Sequence, residues 1–173
     1  MLSQFSFKVE SPNSDSQIIS FKGYLDETAE LPSYESLSKL KSLVLNLDGC
    51  RVINSSGIKK WVQLMTQLAL KNDLKIVLQN CHPLILDQIN LIEGFLPQNA
   101  EVESLYIMLF CEKCEKEFDV LKKVKDVETG LGAAIRDLKE LDCEKFPECR
   151  KFITLDMHPD KALSFLKKGK EGK

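Results

Sequence analysis

The chain has 173 residues, 43% hydrophobic and 29% charged, with 24 Lys/Arg against 26 Asp/Glu for a net charge of −2. That balance excludes a disordered chain and an electrostatically driven nucleic-acid binder, and the length suits a core of about 100 residues plus an appendage that needs a staple. No apolar run approaches the roughly 20 residues of a membrane-spanning helix.

In chain order, β-formers alternate or cluster over Ser6–Glu10 and Gln17–Leu25, with Asn13, Ser14 and Asp15 as turn residues between them, which predicts an opening hairpin. Leu31, Tyr34, Leu37 and Leu40 recur at helical spacing behind Pro32 and Ser33. Ser42–Leu47 is a nearly unbroken apolar run of strand length, expected at the centre of a sheet. After Asp48–Ile53 comes Asn54-Ser55-Ser56-Gly57, a capping sequence, and then Ile58, Trp61, Val62, Met65, Leu68 and Ala69 on one helical face. Leu74–Leu78 predicts another buried strand. Pro83 opens a helix with Leu84, Leu86, Ile89, Ile92 and Leu96 inward, and Ala100–Phe110 reads as one last strand. Strands alternating with helices predict an α/β domain with a partly parallel, mixed sheet over residues 1–105.

From Cys111 the character changes to cysteines and charged connections. We expect a small module over 106–166 and a solvated tail over 167–173. Residues 106–173 carry 15 Lys/Arg and 14 Asp/Glu against 9 and 12 before them, so neither part is a basic patch. Cys111-Glu112-Lys113-Cys114 and the pair Cys143 and Cys149 are separated by 28 residues. Two such pairs suit one structural zinc ion, which would replace the core that about 60 residues cannot supply. The second pair, with five intervening residues, is wider than usual. A redox pair is the competing reading for Cys111 and Cys114, and His158 is an alternative to Cys149 as ligand. Cys50 and Cys81 border strands and read as buried, inert thiols.

The run from Leu43 through Asp48 to Asn54-Ser55-Ser56-Gly57-Ile58, with Phe21-Lys22-Gly23-Tyr24-Leu25-Asp26 upstream, resembles STAS domains, the fold of bacterial anti-sigma-factor antagonists. The resemblance spans about residues 5–105. It implies a STAS-like fold, a partner such as an anti-sigma factor or its kinase, and a phosphorylated hydroxyl at Ser55, with Asn54, Ser56 and Gly57 completing the docking turn. The chain departs from the family at Asn54, where the family has an acidic residue. The alternative is that Asn54, Ser55 and Ser56 only cap the helix. Beside it, the cysteine module resembles a zinc ribbon.

The functional expectation is therefore a non-enzymatic, cytoplasmic regulatory protein, without a membrane segment and with a protein favoured over nucleic acid as partner. The two histidines, His82 and His158, fall in no catalytic spacing, and no phosphate-binding or dinucleotide glycine pattern occurs. The N-terminus Met1–Glu10 lacks the basic start and apolar stretch of a signal peptide. Two alternatives stand: a zinc-ribbon protein acting in transcription through nucleic acid or polymerase, and a thiol redox sensor.

Overall fold

A computed structural model of the chain describes residues 4–127, 130–131 and 148–168. The expected hairpin is β1 (Ser6–Asn13) and β2 (Ser16–Leu25), paired antiparallel with Phe7 opposite Phe21 and Val9 opposite Ile19. Next come α1 (Tyr34–Leu37), β3 (Ser42–Ile53), α2 (Ser55–Ala69), β4 (Lys75–Gln79), α3 (Pro83–Leu91) and β5 (Ala100–Val102). The five strands form one mixed sheet in the order β1-β2-β3-β4-β5, parallel from β2 onward. This is the mixed α/β arrangement that the alternation of patterns predicts, with Leu43–Leu47 at its centre.

Strand period and helix period account for the core. Leu43, Leu45 and Leu47 alternate onto one face of β3 and are at most 2% exposed, as are Trp61, Met65 and Leu68 of α2. The Phe21 and Trp61 rings meet edge to face at 5.9 Å, Trp61 stacks on Phe95 at 5.5 Å, and the indole N–H donates to the Phe95 carbonyl at 3.0 Å. In α3 the inward residues are Ile85, Leu86 and Ile89, whereas Leu84 is 52% exposed. The helix also ends at Leu91, so Ile92 and Leu96 pack from the connection that follows and not from a helical face.

The single strand expected over Ala100–Phe110 is two strands. The chain leaves the parallel sheet after Val102, and Ser104–Cys111 becomes β6, the centre of a second, antiparallel sheet in the order β7-β6-β8. A polar break explains the switch: Glu103 N–H still donates to the Leu78 carbonyl at 2.8 Å, while Ser104 turns its hydroxyl onto the Asn80 N–H and side chain. β7 (Lys116–Lys123) has no clear strand signal in the sequence because its alternation of charged and apolar residues belongs to a half-solvated edge strand. β8 (Ile153–Leu155) pairs with the other edge of β6, and α4 (Pro159–Ala162) and α5 (Ser164–Lys168) follow. A bridge between Cys81 and Leu105 ties the two sheets, and one apolar cluster runs from Ile19 through Ile107 to Phe165. No helix among the described residues is long and apolar enough to cross a membrane.

Candidate functional site

The Asn54–Gly57 turn joins β3 to α2 in the region where the chain crosses from the sheet to its covering helix. Asn54 is extended (φ −101°, ψ 177°) and caps α2, its side-chain oxygen accepting the Gly57 N–H at 2.9 Å. Its amide nitrogen donates to the Glu27 carboxylate at 2.9 Å, which holds that carboxyl below its usual range. Lys60, one turn on, donates to the carbonyls of Glu27 and Ala29 at 2.6 and 2.7 Å. The helix start is thus clamped to the loop after β2. Gly57 is buried for a steric reason: a Cβ there would stand 2.0 Å from the Leu25 carbonyl oxygen.

Within this clamp Ser55 and Ser56 are exposed, and neither hydroxyl makes a hydrogen bond among the described residues. Capping falls to Asn54, so the two hydroxyls stay available beside the unpaired N–H groups of a 15-residue helix. The sequence offers Asn54 or Ser55 as the cap, and the structure gives the role to Asn54. The contact of Asn54 with Glu27 does not follow from sequence, because the two lie 27 positions apart.

The cysteines converge at the end of the second sheet. Cys111 closes β6, the turn Glu112–Glu115 follows, and Cys149 sits in the 3-10 turn Glu148–Phe152 that leads into β8. The Cys114 and Glu115 N–H groups both donate to the Cys111 carbonyl, at 3.3 and 2.8 Å, and Glu115 takes φ 52° to complete the tight turn. Glu112 N–H donates to the Phe152 carbonyl at 3.0 Å, which fastens the Cys149 segment to the hairpin. The Sγ atoms of Cys111, Cys114 and Cys149 all lie within 4.8 Å of one another, with Cys114 and Cys149 at 3.5 Å. Cys111 and Cys149 are fully buried and Cys114 is half-buried.

Three sulfur donors this close can bind one metal ion. Lys113 and Lys151 carry their ammonium groups over the Phe152 ring, at 5.6 and 5.1 Å, next to where ligation would concentrate negative charge. Cys143 lies outside the described residues. His158 stands exposed at the N-cap of α4, apart from the thiol cluster. Cys50 and Cys81 are 1% and 0% exposed, and burial pushes the Cys50 thiol up to about 11 and the Cys81 thiol further in the same direction, which keeps both protonated.

A polar network at the seam between the sheets has no signal in the sequence, since its members come from four elements. His82 is 5% exposed and stacks on Tyr106 at 4.1 Å; the Tyr106 hydroxyl donates to Asp48, and Arg51 pairs with Asp119 at 3.1 Å. The Asp48 hydrogen bond is the main cause raising the Tyr106 phenol to about 12. Burial, then the Arg51 charge, lowers the His82 imidazole below its ordinary value, and His82 Nε2 has no hydrogen-bond partner among the described residues.

No protein-family model matches this sequence, and the curated proteins contain no significant match to it.

Proposed function

We propose that the protein is a non-enzymatic regulatory module that docks a partner protein through the start of α2, in the manner of STAS-domain anti-sigma-factor antagonists. The carrying observation is the division of labour in the turn: Asn54 supplies the cap, while Ser55 and Ser56 are exposed and their hydroxyls have no partner among the described residues. A phosphate on Ser55 would lie beside free helix N–H groups and would add about −1.5 to −2 charges to a surface that the Glu27 and Lys60 bonds hold in place. The kind of partner is an anti-sigma factor or the kinase that modifies the serine.

In this reading the thiol cluster holds a structural zinc ion through Cys111, Cys114 and Cys149, with Cys143 as fourth ligand. Four sulfur ligands leave no position for substrate, so the ion contributes folding free energy and no chemistry. The near-neutral charge of residues 106–173 favours a protein partner over nucleic acid, for which several uncompensated cations are needed.

The test is to capture partners with the wild-type chain and compare Ser55→Asp with Ser55→Ala. A charge-read docking surface predicts that the Asp variant binds at least about tenfold more weakly while the Ala variant binds like wild type. Equal affinities for all three would refute the docking role of Ser55. Elemental analysis of the purified protein, expected to give one zinc per chain, tests the metal separately.

A further inference from the structure

The C-terminal segment 148–168 holds its place with few elements of its own. β8 has three residues, α4 four and α5 five, each far below the length at which a helix or strand persists alone. It nevertheless covers α3: Lys161 Nζ meets the Asp87 carboxylate at 2.9 Å, the Asn90 side-chain nitrogen donates to the Lys161 carbonyl at 2.7 Å, and Ala162 and Phe165 are 5% and 8% exposed. Beside the β6–β8 pairing and the Glu112–Phe152 bond, the segment is anchored at its head by Cys149, fully buried and 3.5 Å by Sγ from Cys114 of the β6–β7 turn.

We propose that Cys114 and Cys149 form a redox clasp, a modification site in which a disulfide takes over the tethering role when the metal leaves. The inference rests on the metal reading for its loaded state only. Exposure sets the order of events: Cys114 is half-buried, while Cys111 and Cys149 are closed to solvent, so an incoming peroxide reaches the Cys114 sulfur first.

The Cys114 thiolate attacks one oxygen of hydrogen peroxide. The O–O bond breaks, a sulfenic acid forms on Cys114, and hydroxide leaves. The Cys149 thiolate then attacks the Cys114 sulfur, the S–O bond breaks, and a second hydroxide leaves as the S–S bond forms. Two electrons pass from the sulfurs to the peroxide, and the metal departs with its oxidation state unchanged. The sulfurs need to close from 3.5 Å to about 2.05 Å, a movement within one turn and one 3-10 segment. Reduction runs through the same exposed atom, since an external thiol can reach Cys114 and not Cys149.

Three states of one chain then differ in a specific way. Metal-loaded protein and oxidised metal-free protein both keep segment 148–168 on α3. Reduced metal-free protein releases it and uncovers the Asp87–Asn90 side of α3.

Hydrogen exchange on the full chain tests this in four preparations: as purified, chelated with a reducing agent, chelated then treated with hydrogen peroxide, and the last re-reduced. The expected result is that amides of 153–168 and of α3 exchange at least about tenfold faster in the chelated, reduced protein and recover under peroxide, with peptide mapping placing the disulfide between Cys114 and Cys149. The Cys111→Ser chain should lose metal yet still recover under peroxide, and the Cys149→Ser chain should not recover. Equal protection in the reduced and loaded states would overturn the proposal, as would a disulfide mapped to Cys111 or Cys143, or recovery in Cys149→Ser. A lack of zinc in the protein as purified would refute the metal reading alone, because the comparison of reduced with oxidised metal-free chain would still decide the clasp.

Discussion

Replacing Gly57 by Ala sets two effects of opposite sign against each other at one atom. Gly57 lies in the first turn of α2, where Ala is the better helix former by at most about 1 kcal/mol. Against that, the added Cβ would sit 2.0 Å from the Leu25 carbonyl oxygen and 2.6 Å from its carbon, where ordinary contact is about 3.5 Å. Both offending atoms are backbone, so no side-chain rotation relieves the overlap.

The helix start cannot simply back away, because Asn54 N–H is bonded to that same Leu25 carbonyl and Lys60 to the carbonyls of Glu27 and Ala29. Forced displacement of this kind costs about 3 kcal/mol or more, so the steric effect wins by about 2 kcal/mol. For a chain of this size that corresponds to a fall of about 4–8 °C in melting temperature. The assay is thermal and urea unfolding of Gly57→Ala beside Ser56→Ala, whose exposed side chain on the same turn should change stability by less than about 0.5 kcal/mol. A Gly57→Ala protein as stable as wild type would mean that α2 does not approach β2 this closely, and the steric requirement for glycine in the turn would fall with it.

Asn54→Ala should cost about 1 kcal/mol in urea unfolding through the lost cap on Gly57. Asn54→Asp keeps the cap but places a carboxylate against Glu27, so at neutral pH the double variant Asn54→Asp with Glu27→Gln should be the more stable of the two; the reverse order would refute the Asn54–Glu27 contact. Burial depresses the His82 imidazole in the folded state, so below about pH 6.5 the unfolded chain takes up the proton more readily. Stability should therefore fall as pH drops through that value and level off below the folded-state value. His82→Leu should flatten this part of the profile, and an unchanged slope would place the titration elsewhere.

The fold is legible in the sequence wherever one chemical period repeats. Leu43, Leu45 and Leu47 alternate, Trp61, Met65 and Leu68 keep helical spacing, and Ser33, Asn54 and Pro83 mark helix starts, so the elements of the mixed sheet follow from local pattern. Pattern fails where the partner surface decides. Leu84 looks inward by its side chain but sits on the open side of α3, and Ala100–Phe110 looks like one strand although its two halves join different sheets.

The functional chemistry divides along the same line. The spacing of Cys111 and Cys114 announces a tight turn with two convergent thiols, because four residues suffice to fix that geometry. Only the tertiary structure brings Cys149 to within 3.5 Å of Cys114 across 35 positions of sequence. Asn54 and Ser55 announce a cap through residue type and place, whereas the grip of Asn54 on Glu27, and the stacking of His82 on Tyr106 beneath Arg51, depend on chain segments whose meeting is set by the packing of whole elements. Local interactions encode the shape of each turn. The energy that joins distant turns comes from burial of the shared core, which no short stretch of sequence contains.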